Sequence, residues 1–267
     1  LLVPNNWNVK RKSKCLILIL RMINLANKTA FVTGGSRGIG AAIVTALAQE
    51  GATVAFTYQS AAGKAQALVD AVIQNGGNAV AIKADSADPQ AVMNAVEQVA
   101  QKFGKIDILV SNAGVAYRKD ICDFTLQEFE HIIAVNVRAV FAATQTALLY
   151  MPNGGRIITI GSCLATRVTG TGWGLYSMSK AALIGFTKAV ARDVGPKNIS
   201  VNIVHPGPVD TDMNPATGDN ADRKRANMAI PKYGEGKDIA GIVAYLAGPQ
   251  GSYITGACFD VDGGTNA

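Results

Sequence analysis

The run Thr29-Ala30-Phe31-Val32-Thr33-Gly34-Gly35-Ser36-Arg37-Gly38-Ile39-Gly40 decides the fold. Thr29 to Thr33 is β-branched or apolar and predicts a buried strand; the glycines predict a turn. Ile39 to Glu50 has helical spacing, and Gly51 stops it. Strand, glycine turn and helix in that order leave backbone N–H groups at a helix N-terminus, where a dinucleotide pyrophosphate is stabilised.

The alternation continues along the chain. Strands are expected at Thr53 to Tyr58, Ala79 to Ala84, Ile106 to Ser111, Arg156 to Ile160, Ser200 to Val204 and Ala257 to Val261. Between them lie helices at Lys64 to Gln74, after the Asp88-Pro89 cap, from the Thr125-Leu126-Gln127-Glu128 capping box to about Leu149, at Tyr176 to Val194 and at Asp238 to Ala247. Strand and helix in regular alternation predict an α/β fold: one doubly wound Rossmann domain over residues 22–267, a seven-stranded parallel sheet with helices on both faces. Its ligands belong beyond the carboxyl ends of the strands. The polar stretch Asp212 to Lys232 reads as a mobile lid over them.

The chain has 267 residues and a net charge of +6. That charge is uneven: Lys10, Arg11, Lys12, Lys14 and Arg21 stand in residues 1–21 without an acid, and the remaining 246 residues carry 20 bases against 19 acids. A near-neutral body gives no electrostatic case for nucleic acid. The apolar run Cys15 to Leu20 is too short for a membrane span of about 20 residues or a secretory core of about 7 to 15. Residues 1–21 are therefore expected to be a non-native or disordered basic extension, with Met22 preceding the organised chain. The four scattered cysteines form no C-x-x-C and suggest a reducing, cytoplasmic setting, and no metal site is expected.

Gly34-Gly35-Ser36-Arg37-Gly38 is also a literal G-x-S-x-G, the nucleophile elbow of α/β-hydrolases. A hydrolase needs a histidine after its acid, and His131 and His205, the only two, stand in no such motif. A dinucleotide site is the better reading. The second strand ends Phe56-Thr57-Tyr58-Gln59-Ser60 with no acid to hold a 2′-hydroxyl, while Arg37 and Lys64 are available to a 2′-phosphate, so NADP(H) is the expected cofactor.

Tyr176-Ser177-Met178-Ser179-Lys180 puts a phenol and an ammonium one turn apart on one helix face. A fixed cation, with an oxidised nicotinamide, is expected to favour the phenolate. Fourteen residues before Tyr176, Ser162 ends a strand at the sheet edge, and Asn136 stands in the apolar helical run Ile132 to Val137, where its amide needs a buried partner. Trp173 lies near this group, to stack on substrate or on its own domain. Cys163, without a histidine partner, reads as pocket wall.

These residues resemble a short-chain dehydrogenase/reductase over Lys28 to Gly264. Thr33 to Gly40 is similar to that family's T-G-x-x-x-G-x-G, and Ser111-Asn112-Ala113-Gly114 to its N-N-A-G with serine first. Asn136, Ser162, Tyr176 and Lys180 fall at its catalytic tetrad, and Pro206-Gly207 at its P-G. The resemblance implies cofactor contacts at Gly34, Ser36, Arg37, Gly38, Ile39, Gly40, Tyr58, Ser60, Asp85, Ser86, Asn112, Ala113, Gly114, Tyr176, Lys180, Pro206, Gly207, Val209, Thr211 and Met213. It also implies a homotetramer and a carbonyl or secondary-alcohol substrate, as in 3-oxoacyl-carrier-protein reductases and broad carbonyl reductases. Tyr176 would be the general acid/base, Ser162 the holder of the substrate oxygen, Lys180 the residue that lowers the phenol pKa and grips the ribose, and Asn136 the holder of a water beside Lys180. Pro206 to Asp212, Asn214-Pro215-Ala216 and Met228-Ala229-Ile230 resemble a cyclic-di-GMP-binding biofilm-dispersal subgroup, which implies the alternative of a signalling protein on the same scaffold.

Overall fold

The structure, a computed structural model, describes residues 23–267. The expectation for residues 1–21 lies outside these. Seven strands form one parallel sheet in the order β3-β2-β1-β4-β5-β6-β7. They are β1 (Thr29–Val32), β2 (Thr53–Tyr58), β3 (Asn78–Lys83), β4 (Ile108–Ser111), β5 (Arg156–Ile160), β6 (Ser200–Pro206) and β7 (Cys258–Val261). The helices are α1 (Gly38–Gln49), α2 (Ala62–Gln74), α3 (Pro89–Phe103), α4 (Leu126–Ile133), α5 (Ala139–Leu148), α6 (Gly174–Val194), α7 (Asp219–Ala226) and α8 (Gly236–Ala247). The predicted α/β fold is the observed one.

Because successive residues of a strand face opposite sides, the sheet builds two cores. Ala30, Val32, Ile108, Val110, Ile158 and Ile160 pack with α1, α2 and α8. Phe31, Leu109, Ile157 and Val201 pack with α3, α5 and α6 on the other face. Phe31 and Phe56 are fully buried, each worth about 2 kcal/mol of transfer free energy. The strand order reverses direction between β1 and β4, so a crevice opens there at the carboxyl edge.

Both predicted caps are present. The Asp88 side chain accepts from Gln90 N at 2.9 Å ahead of Pro89. Thr125 Oγ1 accepts from Glu128 N at 3.2 Å while Glu128 returns to Thr125 N at 3.0 Å. Two expectations change. The helix from Thr125 to about Leu149 is broken by a π-helical turn over Ala134–Arg138, which carries Asn136. The excursion Asp212 to Lys232 contains the short helix α7, held by Arg225 on Asp222 and on the Ala216 carbonyl. Other element ends shift by a few residues.

At the opposite, amino edge, Asp107 is buried with its carboxylate on Thr29 N (2.9 Å), Lys28 Nζ (3.1 Å) and Lys105 Nζ (3.0 Å). Burial pushes its pKa up, but the Thr29 N–H and the two ammoniums outweigh burial and hold it below the ordinary 3.8. Replacing Asp107 by Ala strands a buried N–H and should cost about 2 kcal/mol in urea unfolding. Because the folded pKa is depressed, the contribution is complete above about pH 3.8 and disappears as pH falls through the folded value. A wild-type and Asp107→Ala difference that stayed constant down to the acid transition would contradict this.

Candidate active site at the carboxyl edge

The glycine turn is stapled to its neighbours by strand-end side chains. Gly34 N donates to Thr57 Oγ1 at 2.9 Å and Gly35 N to the Thr57 carbonyl at 2.9 Å. Asn112 Nδ2 donates to the carbonyls of Thr33 (3.0 Å) and Gly34 (2.9 Å), and Thr33 Oγ1 accepts from the backbone N–H groups of Asn112 (3.0 Å) and Ala113 (3.1 Å). A Cβ at Gly40 would overlap the Gly34 carbonyl and come within 2.6 Å of Asn112 Nδ2, so only glycine lets α1 start this close to the turn. Arg37 precedes α1 without a side-chain cap, leaving first-turn N–H groups for another acceptor.

Tyr58 ends β2 and Ser60 lies just beyond it, Asp85 and Ser86 lie just beyond β3, and Ala113 and Gly114 just beyond β4. Pro206 ends β6, and Gly207 continues from it. Thr211 sits against Gly38, 3.2 Å from where its Cβ would be, and Met213 is exposed. The predicted cofactor positions thus ring one edge of the sheet. Arg37 and Lys64 come together on one carboxylate, Asp212, at 3.6 Å and 2.9 Å. All three side chains are exposed, and the two cations hold the Asp212 pKa below its ordinary value, Lys64 contributing most. Asp212 lies 148 residues from Lys64, and no local signal announced the pairing.

The tetrad converges on the end of β5. Lys180 is buried, and its Nζ donates to the Ile160 carbonyl at 2.8 Å. Burial pushes its pKa down to about 8. The Ser162 hydroxyl lies near the Tyr176 phenol, favouring its ionised form, and Ser162 Oγ accepts from Leu164 N at 3.2 Å. Burial pushes the phenol pKa up, and the Ser162 hydroxyl opposes this only in part. In the free protein desolvation of the phenolate dominates at Tyr176, and the same burial weakens the Lys180 ammonium. The Cys163 thiol, chiefly through burial, rises to about 11, which fits pocket wall rather than nucleophile.

Asn136 is fully buried and uses its amide on backbone. Its Oδ1 accepts from Val115 N and its Nδ2 donates to the Val115 carbonyl, both at 2.9 Å, with a further bond to Ser179 Oγ at 3.0 Å. Ser179 Oγ in turn donates to the Tyr176 carbonyl at 2.7 Å. Asn136 Oδ1 and Lys180 Nζ flank Gly114, each about a contact distance from its missing Cβ, at 3.4 Å and 3.3 Å. Trp173 packs on its own domain: its ring is 5.8 Å from that of Tyr176, and the Arg118 guanidinium covers it at 5.7 Å. Sequence reading missed Thr57, Val115, Ser179 and Asp212, and dismissed His205, whose Nδ1 accepts from Ser162 N at 3.1 Å.

No His, Cys, Asp or Glu cluster suited to a metal occurs among the described residues, and none of their helices is long and apolar enough to cross a membrane. The cradle around Gly40 and the two cations at Asp212 suit a phosphorylated dinucleotide.

Comparison with known proteins agrees with this geometry. The family model described as enoyl-(acyl carrier protein) reductase matches residues 34–266. The chain is 42% identical over 240 residues to the cyclic-di-GMP-binding biofilm dispersal mediator protein of Escherichia coli (strain K12), covering 90% of this chain and 98% of that protein. It is 39% identical over 247 residues to the 3-oxoacyl-acyl-carrier-protein reductase FabG of the same organism, covering 91% and 98%. Among solved structures, a short chain dehydrogenase from Burkholderia cenocepacia J2315, in complex with NADP, superposes with a TM-score of 0.90 at 54% identity, covering 91% of this chain and 100% of that one. With a strand-end serine, a Tyr-x-x-x-Lys helix and a glycine cradle joined at one sheet edge, the chain belongs to the short-chain dehydrogenase/reductase family.

Proposed function

We propose that this protein is an NADP(H)-dependent reductase of ketones or 3-oxoacyl thioesters, running in reverse as a secondary-alcohol dehydrogenase. The observation that carries this is the meeting of Ser162, Tyr176 and buried Lys180 at the end of β5. Bound NADPH would supply the hydride that the carbonyl carbon receives. The residues around Gly40 would hold its pyrophosphate, Arg37 and Lys64 its 2′-phosphate, and Lys180 its nicotinamide ribose.

With Ser162 Oγ and the Tyr176 hydroxyl near each other, a substrate carbonyl oxygen bound between them would accept from both. Tyr176 keeps its proton in the free protein, which suits a donor to the alkoxide that develops during reduction. Lys180, with one bond to Ile160, has further N–H donors for the ribose and for a water near Asn136 Oδ1. Asn136 also fixes the Val115 backbone beside that water. The same reading includes the homotetramer: Phe141 on α5 is half exposed beside Phe186 on α6 and would be covered by another copy.

A second reading, cyclic-di-GMP binding, is favoured by the relative that carries that name. A pure binding module gains nothing from a buried lysine beside a phenol, so catalysis is preferred. NADPH absorbance followed against ketones, diketones, aldehydes and acetoacetyl thioesters, with a parallel cyclic-di-GMP titration, separates the two. Oxidation of NADPH by at least one class is expected; tight cyclic-di-GMP binding with no oxidation would favour the second.

Two substitutions test the assigned roles. Tyr176→Phe should lower kcat by about a hundredfold or more while NADPH binding changes little; near-normal turnover would remove Tyr176 from the chemistry. Asp212→Asn should free Arg37 and Lys64 and tighten NADPH roughly two- to fivefold, with NADH unchanged and the gain shrinking in high salt. Equal effects on both cofactors, measured by fluorescence titration, would mean that these cations do not read the 2′-phosphate.

A further inference from the structure

His205 is fully buried on β6 and has no part in the mechanism above. The ring lies on the face of β6 that Ile203 shares, beneath the turn that follows β5. Its Nδ1 accepts the backbone N–H of Ser162 at 3.1 Å, and an acceptor nitrogen carries no proton. The proton of the neutral ring therefore sits on Nε2, which has no hydrogen-bond partner among the described residues. The bond to Ser162 alone selects the tautomer. Gly161 is the other half of the arrangement: a Cβ there would overlap Nδ1, so the ring reaches the Ser162 N–H only beneath a glycine.

We propose that His205, as a neutral imidazole, is a positioning residue for carbonyl reduction, holding the Ser162 backbone so that Ser162 Oγ meets the Tyr176 hydroxyl at the substrate oxygen. The proposal rests on the reductase reading above. Ser162 lies between β5 and a short helical turn, and Leu164 N, which it caps, is the next fixed point after His205. Losing the imidazole acceptor would leave a buried N–H unpaired and let this junction shift. A displacement near 1 Å at a reacting centre is enough to cost about a hundredfold in rate.

The charges around the ring agree with a neutral form. Gly161 and Ser162 bring none, β7 brings Asp260 opposite His205 in the sheet register, and α6 brings Lys180. Burial pushes the His205 pKa below the ordinary 6.5 and Lys180 adds to this; Asp260 opposes it, while the Ser162 N–H donated to the bare Nδ1 favours the neutral ring.

The test combines three measurements on the full-length protein. His205→Ala should lower kcat ten- to a hundredfold with NADPH Kd within twofold of wild type. His205→Asn, which can present Oδ1 close to the place of Nδ1, should recover most of the rate. Gly161→Ala, which pushes the ring away, should resemble His205→Ala. Hydrogen exchange should find the Ser162 amide protected in wild type and His205→Asn and opened in His205→Ala. With only two histidines in the chain, ¹⁵N spectra can follow the ring directly, and a bare Nδ1 with protonated Nε2 is expected at about pH 8, well above the ordinary histidine pKa. Equal losses in His205→Ala and His205→Asn, unchanged kcat in His205→Ala, or a protonated Nδ1 in wild type would each overturn the proposal. If wild type binds NADPH but reduces no carbonyl, the reductase reading fails instead, while amide exchange and tautomer still decide whether His205 holds Ser162.

Discussion

The lock between β1 and β4 governs everything at the carboxyl edge. One amide, Asn112 Nδ2, holds two carbonyls of the glycine turn, and one hydroxyl, Thr33 Oγ1, receives two N–H groups from the loop beyond β4. Each bond is worth about 1 kcal/mol net, so their importance is geometric rather than energetic. They fix the start of α1 to the end of β4 across the switch point, which leaves no volume for a side chain at Gly40. The loop that follows carries Gly114 and then Val115, and the Asn136 amide grips Val115 from the π-helical turn. The cofactor cradle and the catalytic helix are thus tied through two asparagines.

Desolvation then sets the chemistry of the side chains that converge there. Burial acts oppositely on a phenol and an ammonium: it raises Tyr176 and lowers Lys180 to about 8. Both shifts keep the pair usable near neutrality. The phenol retains a proton to donate, and the ammonium still bears most of its charge at pH 7. A lysine with a lower pKa would lose its charge and, with it, the hold on a ribose and on a forming phenolate that the reductase proposal assigns to it. The Ile160 carbonyl at the end of β5 is the protein's counterweight, accepting a charge-assisted bond from Nζ.

How much of this was legible in the sequence depended on distance along the chain. The strand, glycine turn and α1 are local, and so is the four-residue spacing of Tyr176 and Lys180; both were readable because helix and strand periods carry their own signal. The caps at Asp88 and Thr125 were readable for the same reason. Asn136 was found as an amide inside an apolar run, but its partner Val115 and the π-helical turn depend on how two loops meet. His205 looked idle because a histidine is recognised by its neighbours in sequence, and its partner Ser162 lies 43 residues away, just beyond the adjacent strand. Charge type can be read from a sequence, whereas the depth of burial that raises Tyr176 in the free protein cannot.

The positive charge of the chain takes on a specific meaning at Asp212. Arg37 comes from the glycine turn and Lys64 from α2, yet both rest on a carboxylate at the start of the excursion that contains α7. Thr211 beside it touches Gly38, and Asn214 bonds the Val209 carbonyl at 3.2 Å and also Lys224 of α7. A 2′-phosphate bears more negative charge than a carboxylate and offers more acceptor oxygens, so under the proposed assignment it would compete for the same two cations on favourable terms. Under that assignment, cofactor choice and the seating of the excursion's first residues would share one electrostatic equilibrium, because the same two cations hold Asp212.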